Sequence, residues 1–185
     1  MKNWQAAKWE DALVGLGSNV GDRLENLSMA ARYLGNLTGI KISGVSRVWR
    51  SAPAGYRAQR WFYNAVMKIR TSHSIPALVR RLKAAERALG RKRRFQNGPR
   101  EIDVDLLLLG SRVMHTAAAT VPHPRMHLRR FVLAPAAEVA PGMVHPENGK
   151  SVRSLLRGLG RGGSAIALKR EEQLRFRAGI SGMGV

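Results

Sequence analysis

No cysteine occurs anywhere in this 185-residue chain, so neither a disulfide framework nor a thiolate metal site is open to it. No apolar run approaches the ~20 residues needed to cross a bilayer. The first ten residues, Met-Lys-Asn-Trp-Gln-Ala-Ala-Lys-Trp-Glu, also lack the continuous apolar stretch of a signal peptide. The expectation is a soluble cytoplasmic protein without a membrane partner. Acids are scarce too: 12 Asp and Glu stand against 32 Lys and Arg, a formal net charge of +20. Such an excess attracts anions without saying which. It concentrates between Arg57 and Arg100, where 13 basic residues accompany a single acid, Glu86. A nucleic acid or a bound polyphosphate fits that charge, and a solvated loop is the plain alternative.

The length suffices for one domain with a proper core. Residues 11–160 are expected to form it, with residues 1–10 as an N-terminal extension and 161–185 as a poorly ordered C-terminal one. Residues 11–16 read as a strand that ends in the turn Gly17-Ser18-Asn19. A helix follows, with Asp22 near its start and Leu24, Leu27, Ala31 and Leu34 on one face. Residues 42–49 and 62–70 read as further strands. Ser74 and Pro76 then open a second helix, striped by Leu78, Leu82, Ala85 and Leu89 and closed by Gly90. Residues 120–141 are punctuated by proline and suggest the inclusion of short helical turns. Strands and helices mix without strict βαβ alternation, which predicts an α+β fold.

Against this scarcity of acid, residues 97–110 stand out. They read as a buried strand in which Glu101, Asp103 and Asp105 share one face, with same-face neighbours roughly 6.5–7 Å apart. Crowded negative charge on a core strand is unfavourable unless cations neutralise it, and neutralising one carboxylate should relieve the strand. Asp103 and Asp105 are spaced to share a hard cation such as Mg²⁺, and Arg100 beside them suggests a metal-bound polyphosphate. Simple pairing with arginine at a strand end is the alternative. Other motifs are weaker. Gly142 to Gly149-Lys150-Ser151 fails as a phosphate loop because six residues, not four, separate its glycines. Gly15-x-Gly17 lacks the third glycine of a dinucleotide fingerprint. His123 and His127 stand at i,i+4 without a third ligand, so a phosphate contact near Arg125, Arg129 and Arg130 is a better reading than zinc. Trp61, Phe62 and Tyr63 beside Asn64 offer a stacking face and an amide for a flat heterocycle, or ordinary strand packing.

Taken in order, several motifs carry a resemblance. They are Gly17-Ser18-Asn19, Arg50-Ser51-x-Pro53-x-Gly55, Gln59-x-x-Phe62-x-Asn64-Ala65-Val66 and Glu86-x-x-x-Gly90-Arg91-x-Arg93. Gly98-Pro99-Arg100-x-Ile102-Asp103-x-Asp105-Leu106 and Val121-Pro122-His123-Pro124-Arg125-Met126, leading to Arg129-x-Phe131-Val132-Leu133-x-Pro135, complete the set. Over residues 13–159 the chain resembles the 6-hydroxymethyl-7,8-dihydropterin pyrophosphokinases of folate biosynthesis. The resemblance implies a ferredoxin-like α+β sheet flanked by helices and long loops. It implies transfer of pyrophosphate from ATP to the pterin hydroxymethyl group, with release of AMP. Asp103 and Asp105 would hold two Mg²⁺ ions, with Arg93 and Arg100 as further catalytic residues. Phe62 and Phe131 would sandwich the pterin, read by Asn64, Ser51, Ala52 and Ala54. ATP would lie along Glu86, Arg91, Arg93, Arg100, Leu106, Thr120, His123 and Arg129, under a lid of residues 91–97 whose run of cations from Arg91 to Arg94 lacks apolar anchors.

The implied partners are small molecules met by a monomer, not nucleic acid. The chain departs from the family pattern at Gln96-Asn97, where Arg-Trp is common. Lys83 stands where a neutral or polar nucleotide contact is frequent, and Ala118 where a basic one is. Glu101 replaces the commoner threonine, either pairing with Arg100 or tuning the metal. A kinase for a modified pterin and a basic nucleic-acid binder on the same scaffold are the competing readings.

Overall fold

The computed structural model describes residues 8–92, 94–160 and 165–182. Arg93, for which a catalytic and nucleotide-binding role is implied, lies outside the described residues. The chain begins with β1 (Glu10–Ser18) and α1 (Arg23–Gly35), then β2 (Ile40–Val45), β3 (Trp49–Ser51) and β4 (Phe62–Thr71). After α2 (Ile75–Ala88), β5 (Asp103–Leu109) returns to the sheet beside β1. The order runs β5, β1, β4, with β2 and β3 sharing the far edge of β4, and every pairing is antiparallel. Two interleaved β-α-β units make this the ferredoxin-like α+β arrangement.

Alternation along β1 decides the layers. Ala12, Val14 and Leu16 face Leu24, Leu27 and Leu34 of α1 and Leu78 and Leu82 of α2 in the larger core. Leu13, with Val66 and Leu107, faces the other way. There α3 (Arg130–Val139) and α4 (Val152–Gly158) cover it through Leu133, Ala136, Val152 and Leu155. Further along that second face β1 continues with Gly15 and Gly17, which bring no side chain. A cavity opens above them.

The structure corrects three expectations and bears out the helix starts. The strand foreseen over residues 42–49 is two strands, because the Ser46 hydroxyl accepts the Val66 N–H at 2.9 Å and interrupts the ladder. Ser74 occupies the N-cap position of α2 as expected, without a side-chain cap bond, and Asp22 caps α1 by accepting the Glu25 N–H. Residues 120–141 contain β7 (Thr120–Val121), which pairs with β6 (Met114–His115), and the full ten-residue α3 with Pro135 inside it. Proline costs a helix one backbone bond. Burial of Leu133, Ala134, Pro135 and Ala136 outweighs that loss.

The third correction concerns the C-terminal extension. Residues 165–182 carry β8 (Ile166–Ala167), paired with β3, and α5 (Arg170–Gly179), packed on α1. Phe176 is only 1% exposed and belongs to the larger core. Gln173 accepts the Val48 N–H at 2.8 Å and donates to the Val48 carbonyl at 2.8 Å, taking the place of a strand neighbour. The sequence Arg-Glu-Glu-Gln-Leu-Arg-Phe-Arg looks polar because one aromatic and one amide do the packing. Phe176→Ala should therefore lower stability by about 3–5 kcal/mol in urea denaturation. A transition unchanged from wild type would put α5 outside the cooperative fold.

Candidate active site

The three acids at the cavity form one cluster. Ligand atoms of Glu86, Asp103 and Asp105 lie within 4.8 Å of one another. Asp103 and Asp105 reach it from alternate positions of β5, and Glu86 from the end of α2. Three cations compensate them. Arg91 Nη1 lies 2.6 Å from Asp103 Oδ1 and 2.5 Å from Glu86 Oε2. Arg100 Nη1 lies 2.9 Å from Asp103 Oδ2, so both oxygens of Asp103 are engaged by arginine. Lys83 Nζ bridges Glu86 Oε1 at 2.7 Å and Asp105 Oδ1 at 2.9 Å. Burial alone would raise the Asp105 carboxyl, but Lys83, His123 and Arg91 outweigh it and hold the group below the usual range. Glu86, the most enclosed acid, is pushed up by burial against the pull of Lys83 and Arg91. Burial would pull Lys83 down, yet Asp105 and Glu86 keep it above its ordinary value. This pairing reverses the expectation that neutralising a strand carboxylate brings relief: Asp105→Asn strands Lys83.

Glu101 does not join the cluster, because β5 begins only at Asp103. Its carboxylate pairs with Arg94 at 2.6 Å, not with Arg100, and accepts the Lys92 N–H at 3.0 Å. Just past the run of cations the loop makes an apolar contact: Phe95 meets Tyr56 edge to face at 5.2 Å between centroids. Asn97 sits at φ 59°, a left-handed conformation that asparagine tolerates, and this gives the Gln96-Asn97 departure a local reason. The turn Gly17-Ser18-Asn19 ties the walls together. Asn19 accepts the Arg100 N–H at 2.8 Å and donates to Gln59 at 2.8 Å, while Gln59 donates to the Asn97 carbonyl at 2.9 Å.

The cavity above Gly15 and Gly17, about 310 Å³, is lined by Ser51, Ala52, Ala54, Phe62, Asn64 and Phe131 at one end. Arg91, Arg100, Asp103, Asp105, His123 and Arg129 line the other. Asn64 is held by donating to Ser51 Oγ at 3.0 Å, and the Arg100 guanidinium stands 5.4 Å from the Phe62 ring centre. Burial keeps the His123 imidazole below its ordinary range, with the Asp105 charge opposing, so it is neutral at pH 7. A second cleft of about 270 Å³ contains Leu106 and Thr120 and shares Lys83, Asp105 and His123 with the first. The structure thus gathers every sequence-derived candidate except Arg93 around two adjoining spaces, with Glu86 beneath them. Ala118 lines the second cleft and brings no charge to it. Trp61 and Tyr63 stand apart from both, and Tyr63 bonds Glu172 at 2.8 Å. His127 leaves His123 and packs edge to face on His145. Sequence reasoning passed over the part Lys83 plays. Its position one turn before Glu86 was the available signal.

An acid cluster ringed by arginines, beside an amide-lined cavity on a ferredoxin-like sheet, defines a phosphotransferase. Residues 13–141 match the family model of 7,8-dihydro-6-hydroxymethylpterin-pyrophosphokinase. Over 145 residues the chain is 41% identical to the 2-amino-4-hydroxy-6-hydroxymethyldihydropteridine pyrophosphokinase of Synechocystis sp., covering 78% of this chain and 74% of that one. Over 133 residues it is 40% identical to the enzyme of the same name from Aquifex aeolicus, covering 72% and 82%. The wild-type HPPK-DHPS of Plasmodium falciparum superposes with a TM-score of 0.64 at 14% identity, covering 83% of this chain and 44% of that one. The chain therefore spans less than half the length of that solved protein, and the likeness concerns the fold alone. The chain belongs to the 7,8-dihydro-6-hydroxymethylpterin-pyrophosphokinase family and is an ATP-dependent pyrophosphokinase of folate synthesis.

One pH dependence follows from Glu101. Burial would raise its carboxyl, but Arg94 and the Lys92 N–H lower it from 4.5 to about 2. A folded-state value below the unfolded one contributes stability above pH 4.5, and that contribution is lost as pH falls toward 2. Glu101→Gln should therefore be less stable than wild type at pH 6, with the gap closing by pH 2 in denaturation curves. A gap that stays constant with pH would refute the pairing.

Proposed function

We propose that the two adjoining spaces divide one reaction: transfer of pyrophosphate from ATP to the hydroxymethyl group of 6-hydroxymethyl-7,8-dihydropterin, giving AMP and the pterin diphosphate. The observation that carries this division is the shared wall. Lys83, Asp105 and His123 line both spaces, so groups bound on either side meet over the acid cluster. The heterocycle lies between Phe62 and Phe131, and the Asn64 amide, able to donate and accept, reads its polar edge with Ser51, Ala52 and Ala54. The nucleotide extends past Leu106 and Thr120 and brings its phosphates to Arg91, Arg100, His123 and Arg129.

The donor set suits a hard divalent cation: carboxylate oxygens converge within 4.8 Å, and the chain has no thiolate. Asp103 and Asp105 would hold Mg²⁺, two ions in this reading, which supply charge neutralisation to the polyphosphate. Arg91 and Arg100 exchange carboxylate oxygens for phosphate oxygens as the nucleotide binds, so they stay paired throughout. Neutral His123 donates to an anion without adding to the crowd of cations. The hydroxymethyl group is held for in-line attack on the β-phosphorus, and with a loose transition state positioning and charge stabilisation dominate over general-base work. Arg93 retains its implied part in this scheme. The reading includes a monomeric enzyme of the cytoplasm, and no described helix is long and apolar enough to cross a membrane.

Two substitutions test the division. Asp105→Asn should lower AMP formation by about three orders of magnitude or more, as removal of a charge used in the transition state does. Full activity in that variant would remove Asp105 from the reaction. Asn64→Leu keeps similar volume but leaves the heterocycle's edge unpaired, at about 1–3 kcal/mol per group. Calorimetry should show pterin binding weakened roughly tenfold with nucleotide binding intact. Equal loss of both ligands would make Asn64 a structural residue.

A further inference from the structure

The acid cluster is balanced before any ligand arrives. Glu86, Asp103 and Asp105 face Lys83, Arg91 and Arg100, charge for charge. The three cations differ in how they are held. Arg91 and Arg100 come from loop positions, whereas Lys83 is planted in α2. Its ammonium donates to Glu86 Oε1 at 2.7 Å, Asp105 Oδ1 at 2.9 Å and the Val104 carbonyl at 3.0 Å. Three protons meet three acceptors, so the group is saturated. Glu86 accepts the Val104 N–H at 2.7 Å, and the two side chains of α2 thereby satisfy both backbone polar groups of one β5 residue. The ammonium stands among the carboxylate oxygens from which a divalent ion would draw its ligands.

We propose that Lys83 is a built-in counter-cation that makes divalent-metal binding by this chain conditional on the nucleotide. The inference rests on the metal–ATP reading above. A free divalent ion entering a neutral, half-buried cluster leaves its own charge uncompensated. It must also share Asp105 with the ammonium or expel it, and expulsion breaks three hydrogen bonds and orphans the Val104 carbonyl. A triphosphate changes the balance. Its negative charges offset the metal, and its oxygens give Arg91 and Arg100 new partners in exchange for those of Asp103. Metal therefore enters as its nucleotide complex, and the empty enzyme resists free divalent ions.

The test is Mn²⁺ binding, read from the electron paramagnetic resonance signal of the free ion, with and without an α,β-methylene analogue of ATP and against a protein-free titration of that analogue, which itself chelates the ion. Wild type should bind Mn²⁺ weakly alone and tightly with the analogue. Lys83→Gln, which keeps donors but removes the charge, should bind Mn²⁺ alone about tenfold more tightly than wild type. Lys83→Arg, which keeps the charge, should remain like wild type. Lys83→Met serves as the uncharged variant if Lys83→Gln does not fold. An uncharged variant within about twofold of wild type without nucleotide would make Lys83 a strap between α2 and β5 and overturn the proposal. If no form binds Mn²⁺ even with the analogue, the metal–nucleotide reading itself falls, and this inference with it.

Discussion

Charge compensation at Glu86, Asp103 and Asp105 is the constraint around which the rest of this molecule is arranged. Three carboxylates brought together where a core strand begins are tolerable only with cations at contact distance, and Lys83, Arg91 and Arg100 supply them. Meeting that need fixes the neighbouring segments. Lys83 and Glu86 anchor the end of α2 to Val104. Arg91 reaches back to the cluster directly after Gly90, which follows the end of α2 and adopts φ 81°. Arg100 is held through its backbone by Asn19, so the first strand-to-helix turn belongs to the same assembly. In a chain of net charge +20, three of the 12 acids are gathered at this one place.

The sheet supplies the space that this charge serves. One face of β1 is filled by α1 and α2; the other is filled by α3 and α4 only as far as Leu13, after which Gly15 and Gly17 leave a floor without side chains. Phe62, Asn64, Asp103 and Asp105 then project over that floor from the two strands that flank β1. Cavity and cluster thus have one origin: consecutive strands of an antiparallel sheet whose central member has lost its side chains on one face.

Much of this was legible in the sequence because strand alternation is a strict rule. Asp103 and Asp105 at i,i+2, and Phe62 and Asn64 likewise, had to share a face once their segments were strands. What stayed hidden depends on distance in sequence. The Lys83–Asp105 pair joins residues from α2 and β5, and without it an isolated strand gives the wrong sign for the effect of neutralising Asp105. Glu101 was misplaced by two residues' worth of strand, because its partners Arg94 and Lys92 lie in a loop whose path no periodicity describes. The C-terminal extension was misjudged for a different reason. Its docking rests on β8 pairing with β3, on Leu168, Phe176 and Ile180 in the larger core and on Gln173 bonding Val48, more than a hundred residues away. So few apolar positions leave only a weak amphipathic pattern.

What leaves the nucleotide, and where it goes, is decisive. Purified protein supplied with Mg²⁺ and ATP labelled at the β-phosphorus should release AMP only when 6-hydroxymethyl-7,8-dihydropterin is present. The label should then appear on the pterin in equal amount. Release of ADP, or AMP formed at the same rate without the pterin, would contradict the division of one reaction across the shared wall of Lys83, Asp105 and His123.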